Sequence, residues 1–268
     1  MTAIGTPAPV DTAADATSQQ VVLAAPRSGT SRWHLVIPPI LVLVALVVLW
    51  AWVQSNELDS IEQRTLNRDY LVARVREHLE LSFAAAALVA LLAIPAGILI
   101  HQARSRVLRA VVLGLANIGQ ATPAVGVVIL LAIIWKTGFT TAIVALVAYS
   151  FLPVLRNTLT GLGEVDAPTR EAARGMGMTR WQVLRSIELP LASPVILAGL
   201  RTSLVFAVGV ATIATFINAG GLGDMIVNGL KLQRYPVLIV GSVLVAAIAI
   251  LIDWLAGIVE ELARPRGL

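Results

Sequence analysis

Long apolar runs alternate with short polar segments along most of the chain. The runs cover residues 35–53, 79–100, 107–135, 139–159, 194–217 and 236–259. A helix needs about 20 consecutive apolar residues to cross the hydrocarbon core of a bilayer. The pattern therefore predicts an all-α integral membrane protein with about six transmembrane helices.

The third run, residues 107–135, is too long for one straight span and is interrupted near its middle. Asn117, Gln120 and Thr122 lie there, directly before Pro123. Polar groups at membrane depth are tolerated only where protein or a water-filled cavity covers them. We therefore predict a broken helix whose polar side chains face either neighbouring helices or a solute pathway.

The segments outside the runs divide the chain into four predicted parts. Residues 1–31 are mostly Ala, Thr, Ser and Pro, which is typical of a disordered tail. Residues 32–78 are predicted to form the first transmembrane helix and an external amphipathic segment. This first run ends with two tryptophans, as an interfacial anchor does, so we expect it to stay uncleaved. Residues 79–262 form the predicted core and residues 263–268 a C-terminal tail.

The composition supports a membrane protein and excludes several kinds of chemistry. Hydrophobic residues make up 57% of the chain and charged residues 13%, against about 25% charged in soluble domains. The absence of cysteine excludes disulfides, thiolate metal sites and a cysteine nucleophile. The histidines His34, His78 and His101 lie near predicted span ends, where we expect interfacial positions rather than metal ligation or catalysis. No cluster of His, Asp or Glu at membrane depth suggests a membrane enzyme.

The positions of the basic residues predict the orientation. Thirteen of the 20 Lys and Arg residues fall in 27–32, 104–109, 156–201 and 264–266, which share one side if six spans alternate. Cytoplasmic loops carry the excess of basic residues. Both termini and residues 164–190, the longest segment on that side, are therefore predicted to be cytoplasmic.

Residues 164–190 are predicted to form two short helices. Asp166 can cap the first helix, Pro168 suits its opening turn, and Gly177 can end it. Thr179 can cap the second helix.

The second helix is predicted to end at Pro190 and to carry one apolar stripe of Trp181, Leu184 and Ile187. The first helix offers small or adaptable side chains that let another protein approach closely. These are Ala172, Ala173 and Met176.

The same segment resembles the signature of permease subunits of binding-protein-dependent ABC importers. That pattern is E-A-A-x3-G-x9-I-x-L-P, and a motif match of this kind is a hypothesis about structural context. All seven specified positions match here: Glu171, Ala172, Ala173, Gly177, Ile187, Leu189 and Pro190. The resemblance implies a type I, methionine-importer-like permease fold in a bacterial plasma membrane. It also implies that residues 164–190, the coupling loop, dock on an ATPase. There Glu171 would make polar contacts, Gly177 would permit a tight bend, and Ala172 and Ala173 would allow close approach.

The resemblance also implies the partners. No G-x-x-x-x-G-K-[ST] phosphate-binding loop occurs, and the chain has only two lysines, so a separate ATPase subunit must bind ATP and Mg²⁺. A second permease subunit and an extracytoplasmic substrate-binding protein are expected, with homodimer and heterodimer both open. Neither metal nor nucleic acid is expected to bind this chain.

Three passages resemble the osmoprotectant group, which imports glycine betaine, carnitine, choline and related compounds. They are Gly-Gln-Ala-Thr-Pro-Ala at 119–124, Leu-Pro-Val-Leu-Arg-Asn-Thr at 152–158, and Ala-Gly-Gly-Leu-Gly at 219–223. The third passage usually begins with a preceding glycine, where this chain has Asn218. An amino acid is the alternative substrate, and an ion-coupled carrier or channel is a different class.

The predicted solute pathway combines polar and aromatic residues of the spans. For the polar residues at the break before Pro123, hydrogen bonding between helices is an alternative to a place in the pathway. The same hydrogen bonding is the favoured interpretation for Ser203, Thr212 and Thr215. Arg201 and Asp253 are expected to form an ion pair or to snorkel. The pathway candidates are Asn117, Gln120, Thr122, Tyr149, Phe206 and Phe216.

Overall fold

The computed structural model describes residues 33–103 and 105–263, so the predicted tail 1–31 and most of the tail 263–268 lie outside it. The described residues form helices and no strand. The first six helices are α1 (Trp33–Ser55), α2 (Ser60–Thr65), α3 (Arg68–Ala103), α4 (Arg106–Ala121), α5 (Ala124–Ile134) and α6 (Phe139–Glu164). They are followed by α7 (Ala167–Gly175), α8 (Arg180–Val183), α9 (Leu189–Ala211), α10 (Gly223–Lys231) and α11 (Tyr235–Ala263).

Two irregular turns extend α9. A π-helical turn, Leu184–Glu188, joins α8 to the start of α9. A 3₁₀ turn, Thr212–Ile217, follows the end of α9. The resulting helix runs without interruption from Arg180 to Ile217 and is apolar enough to cross a membrane.

Five helical segments are long and apolar enough to span a bilayer, and the bent pair α4–α5 makes up to six. The pair bends by 98° at the break. It follows the end of α3 that lies beside the coupling loop, and it leads to the start of α6 at the opposite end of the bundle. There Gly138 N donates a hydrogen bond to Ile217 O at 2.7 Å. The chain therefore passes from one end of the bundle to the other through α4 and α5, as a broken sixth span would.

The core lies where α3, α6 and α9 pack together. Leu81 of α3 shares one buried cluster with Leu146 of α6 and Ala207 of α9. Further along, Ala93 and Leu155 share a second cluster. Residue numbers rise together along both helices in these contacts, so α3 runs parallel to α6, and α4 and α5 return the chain between them.

Helix α1 lies at the edge of the bundle. Trp254 Nε1 of α11 donates a hydrogen bond to Leu35 O at 2.9 Å, and the other end of α1 packs near Leu222 through Leu49 and Val53. Most large apolar side chains of α1 are exposed, as expected for contact with lipid.

The short helix α2 is tied to the start of α11 by an exposed ion pair. The Asp59 carboxylate caps α2 by accepting hydrogen bonds from the N–H groups of Ile61 and Glu62. It also accepts a hydrogen bond from Arg234, the residue before α11. The hydrogen bonds from Arg234 and from the Glu62 N–H hold the pKa of Asp59 below its usual value.

This pair predicts acid sensitivity of the α2–α11 contact. A carboxyl whose pKa is lower in the folded chain stabilises the fold above its unfolded pKa, and that contribution is lost as pH falls through the folded value. We therefore expect the melting temperature of the detergent-solubilised protein to fall more steeply below about pH 4 in the wild type than in Asp59→Asn. Parallel pH profiles for the two proteins would contradict this assignment.

Candidate functional site

The coupling loop closes one end of the bundle, and Gly177 ends its first helix as predicted. Gly177 has φ +87°, in the left-handed region that favours glycine. Its N–H donates to Arg174 O at 2.9 Å, and Met178 N–H donates to Ala173 O at 3.2 Å. These two bonds form a Schellman motif, in which the residue after the helix must be left-handed.

The second helix also begins as predicted. Thr179 Oγ1 accepts a hydrogen bond from Gln182 N, and the Gln182 side chain accepts one from Thr179 N at 2.8 Å. Asp166 occupies the N-cap position of the first helix, as predicted, but its side chain makes no capping hydrogen bond. The physical reason is Pro168, which occupies a position whose N–H an N-cap side chain normally bonds.

The prediction that Pro190 ends the second helix is wrong. The π-helical turn carries the helix past it, with Leu189 N–H bonded five residues back to Leu184 O. Pro190 lies at the start of α9, directly after the π-helical turn. Such π turns are frequent at functional sites. Here the turn makes the coupling loop continuous with a transmembrane helix.

The coupling loop is anchored to the bundle by buried residues. Leu184 is 1% exposed and packs with Leu162, Ala192 and Ile196. Ala173 is 2% exposed, so it supports the loop instead of offering a surface for close approach. The predicted apolar stripe is therefore divided, since Leu184 faces the bundle while Ile187 is half-buried and Trp181 is exposed.

Another part of the coupling loop faces away from the bundle. Met176 is 76% exposed and Trp181 is 62% exposed, an unusual degree for large apolar side chains outside lipid. Glu171 and Ala172 are exposed on the first helix. We call Glu171, Ala172, Met176 and Trp181 the docking face. Of the other signature positions, Gly177 and Pro190 are exposed and Leu189 is half-buried.

Polar residues at the break between α4 and α5 bond mainly to their own helix. Thr122 Oγ1 donates to Ile118 O at 2.7 Å, and Asn117 Nδ2 donates to Leu113 O at 2.7 Å. Asn117 Oδ1 also accepts a hydrogen bond from Arg156 of α6. Arg156 entered the sequence analysis as one of the basic residues of the predicted cytoplasmic side and as part of the passage 152–158, and no local pattern indicates this contact between α4 and α6.

The aromatic pathway candidates lie on separate elements. Tyr149 of α6 is half-buried against the core, Phe206 of α9 is 41% exposed, and Phe216 of the 3₁₀ turn is 48% exposed. In the described part of the chain, none of these rings contacts another aromatic ring. The Lys231 ammonium lies 5.8 Å from the centre of the Phe216 ring. A quaternary ammonium needs several rings around it, so these three described rings do not form an aromatic cage.

Two of the three further polar residues of the spans make hydrogen bonds between elements, as predicted. Ser203 Oγ of α9 donates to Ser150 O of α6 at 2.9 Å, which joins two core helices. Thr215 donates to the Asp224 carboxylate of α10. Thr212 instead donates to Gly209 O of its own helix at 2.7 Å. Ser203 and Thr215 therefore take part in helix packing.

A charged cluster at the end opposite the coupling loop joins α3 to α10. Arg74 Nη1 lies 2.7 Å from the Asp224 carboxylate and 2.9 Å from the Glu77 carboxylate. The Glu77 carboxylate also accepts a hydrogen bond from Gly221 N at 2.9 Å. We call Arg74, Glu77 and Asp224 the charged clamp. It holds the glycine-rich passage 219–223 against α3.

His78 lies next to the charged clamp, and its predicted interfacial position is wrong. Its side chain is completely buried, with Nε2 3.1 Å from Val208 O. A Cβ added to Gly221 would lie 3.2 Å from His78 Nδ1. His78 therefore helps α3 hold both α9 and the glycine-rich passage.

The backbone conformation of Asn218 explains why related sequences usually have glycine at this position. Its φ and ψ are 60° and 38°, which is the left-handed conformation. Asparagine tolerates this conformation better than most residues other than glycine. The substitution therefore keeps the turn before the glycine-rich passage.

Arg201 and Asp253 form the expected ion pair between α9 and α11. Arg201 Nε lies 2.6 Å from Asp253 Oδ1, and its Nη2 lies 2.7 Å from Oδ2. Glu260 lies 3.6 Å from the same guanidinium. Such a two-bond arrangement is the strong form of this contact.

The ion pair predicts a double-mutant effect. Arg201→Met alone should lower stability by about 1 kcal/mol, because it leaves Asp253 without its partner, and Asp253→Leu should cost less, because Glu260 still lies 3.6 Å from the Arg201 guanidinium. The double variant should be closer to the wild type than the sum of the single effects. Thermal melting of the four proteins in detergent tests this, and strictly additive effects would contradict the pairing.

The folded features together define a class of protein: a helical membrane protein with a broken span and an exposed, partly apolar loop at one end of the bundle. The sequence model described as "Binding-protein-dependent transport system inner membrane component" matches residues 93–265. The chain belongs to this family.

Curated relatives cover most of the chain. It is 42% identical over 206 residues to the carnitine transport permease protein OpuCD of Listeria monocytogenes, covering 76% of this chain and 92% of that one. It is 40% identical to the glycine betaine/carnitine/choline transport system permease protein OpuCB of Bacillus subtilis, with 75% and 92% covered. It is 36% identical to the osmoprotectant import permease protein OsmW of Salmonella typhimurium, with 79% and 100% covered.

A solved structure confirms the predicted fold class. The chain is similar to the MetNI methionine ABC transporter in an inward-facing conformation, with a TM-score of 0.64. The sequence identity is 24%, and 73% of this chain and 96% of that chain are covered. This likeness concerns the fold alone.

Proposed function

We propose that this chain is the permease subunit of an ATP-driven importer of osmoprotectants, meaning glycine betaine, carnitine, choline or proline-like compounds. Relatives at 36–42% identity whose names specify carnitine, glycine betaine, choline or osmoprotectants support this substrate class. Among the described residues, Tyr149, Phe206 and Phe216 lie on separate elements and form no cage, which supports an extracytoplasmic binding protein as the source of most of the selectivity. The permease provides the gated path.

The observation that carries the coupling role is the arrangement of the coupling loop. Its docking face points away from the bundle, while Ala173 and Leu184 fix it to the bundle. The helix then continues from Arg180 into α9. A movement of an ATPase bound to Glu171 and its neighbours would therefore reach α9 through the hydrogen-bonded Gly177 turn and the continuous helix from Arg180.

The proposed cycle is alternating access between two orientations of the pathway. A loaded binding protein docks outside, ATP closes two ATPase subunits inside, and their motion opens the path through two permease subunits. The side that carries the coupling loop is cytoplasmic, as are both termini, in a bacterial plasma membrane. Leu35 and Trp254, which lie near the two ends of the described chain, are hydrogen-bonded to each other. The proposed cycle needs no catalytic site in this chain, because ATP and Mg²⁺ bind the ATPase.

Uptake by reconstituted vesicles tests the proposal. The chain, its ATPase and its binding protein are inserted into proteoliposomes, and accumulation of labelled glycine betaine, carnitine, choline, proline and methionine is measured with internal ATP. We expect accumulation of at least one of the first four. An ATPase variant that cannot hydrolyse ATP is the control and should abolish it.

Other outcomes would assign a different function. Accumulation of methionine alone would favour the amino-acid alternative. Accumulation without ATP, driven by an ion gradient, would favour a carrier and contradict the importer.

A further inference from the structure

A polar cavity of about 270 Å³ lies between the coupling loop and the last turn of α3. Contributions come from α3, from both short helices of the coupling loop and from the π-helical turn. The lining residues are His101, Gln102, Arg170, Arg174, Arg180 and Glu188. Neither the signature motif nor the docking face accounts for this cavity.

The cavity carries excess positive charge. Three arginines line it, against one carboxylate, that of Glu188. Arg170 lies 3.9 Å from Glu188, which is too far for a hydrogen bond. Within residues 33–103 and 105–263, Arg174 and Arg180 have no acidic partner. Converging guanidinium groups repel one another, so the arrangement favours a bound anion.

The side-chain types specify the anion. The planar guanidinium group matches the oxygens of a phosphate with paired hydrogen bonds, and several arginines together favour a group with more than one charged oxygen. Glu188 is buried against one wall and already provides a carboxylate for Arg170. The guanidinium groups of Arg174 and Arg180 are thus left for a ligand.

The position of the cavity also suits a phosphate. His101 and Gln102 directly follow the predicted second apolar run, residues 79–100, so they lie where a membrane helix reaches the headgroup region. Basic pockets at this level on the cytoplasmic side bind lipid headgroups. We propose that this cavity binds a phosphate group, held by Arg174 and Arg180 beside the Arg170–Glu188 pair. The phosphate belongs either to an anionic lipid or to phosphate in solution.

Binding to the complete complex tests the proposal and distinguishes the two sources. The complex of this chain with its ATPase is purified, delipidated and mixed with equal amounts of phosphatidylglycerol and phosphatidylcholine, and bound lipid is counted by native mass spectrometry. In a second arm, inorganic phosphate replaces lipid and binding is measured by calorimetry. Selective phosphatidylglycerol retention identifies the lipid source, and saturable phosphate binding identifies the soluble source.

A matched pair of double variants tests the residues. Arg174→Gln/Arg180→Gln removes two lining arginines and should weaken binding by about tenfold or more. Arg106→Gln/Arg185→Gln changes the net charge equally, but both arginines are exposed and lie outside the cavity, so binding should be unchanged. If the first variant fails to assemble, Arg174→Lys/Arg180→Lys is used instead. It keeps the positive charge but lacks the planar guanidinium groups, so weaker binding is again expected.

Two results would overturn the proposal. One is that the wild type and every variant that assembles bind phosphatidylglycerol equally and bind inorganic phosphate equally. The other is a photo-crosslink from position 174 to an acidic segment of the ATPase, together with no phosphate binding by the wild-type complex. In that case an ATPase carboxylate fills the cavity. Both measurements are made without transport, so they are independent of which solute the importer carries.

Discussion

Replacing Gly177 with arginine is expected to abolish ATP-driven uptake while the chain still inserts and assembles. Gly177 has φ +87°, a conformation that costs other residues about 1–2 kcal/mol. No atom lies within 4 Å of a Cβ added at this position, so the defect would come from the backbone turn and the new charge, not from a clash. The turn orients Met176 and Trp181 of the docking face, and we expect uptake to fall by about tenfold or more.

Two matched variants separate the causes. Gly177→Asn should retain most of the uptake, because asparagine tolerates the left-handed conformation. Gly175→Arg places the same charge two residues earlier, at a helical position with open space around the added Cβ. It should reduce uptake less than Gly177→Arg does. Uptake, insertion and co-purification with the ATPase are measured together. Normal uptake by an assembled Gly177→Arg complex would contradict the coupling role.

Replacing Gly223 with alanine is expected to cause the largest loss of stability. A Cβ added to Gly223 would lie 2.0 Å from Thr212 O and 2.8 Å from the Thr212 carbonyl carbon. Both are backbone atoms of the turn that follows α9, so no side chain can move aside. Accommodating the methyl group requires a shift of α10 against that turn, at a cost of about 3 kcal/mol or more.

Gly209→Ala is the control for this substitution. Gly209 lies in α9, and no atom lies within 4 Å of its added Cβ. Alanine there should leave stability unchanged or raise it by about 0.5 kcal/mol, because it reduces the freedom of the unfolded chain. Melting temperature and the yield of monodisperse protein in detergent are measured. Similar values for the two variants would show that α10 packs differently.

The contacts of the charged clamp could not be predicted from the sequence. Arg74 and Asp224 are 150 residues apart, and each looks like an ordinary charge near a span end. Nothing in the local pattern indicates that they lie 2.7 Å apart. The sequence singles out the glycine-rich passage 219–223 by its family resemblance. Only the packing of the helices shows that α3 contacts this passage.

The coupling loop shows which local predictions hold. The Gly177 turn and the Thr179 cap depend on a few neighbouring residues, and both are present. Asp166 makes no capping hydrogen bond, because Pro168 removes a local donor. The predicted end at Pro190 failed because the π-helical turn depends on how the loop packs on the bundle.

The sequence by itself determined the membrane class, the spans, the break near Pro123 and the family. These features follow from local composition and from spacing, which act over at most a few turns of helix. The tertiary structure alone decided that Ala173 faces inward, that Trp181 faces outward and that three arginines share one cavity. The reason is physical, since burial and charge pairing depend on which helices meet, and those contacts join residues far apart in the chain.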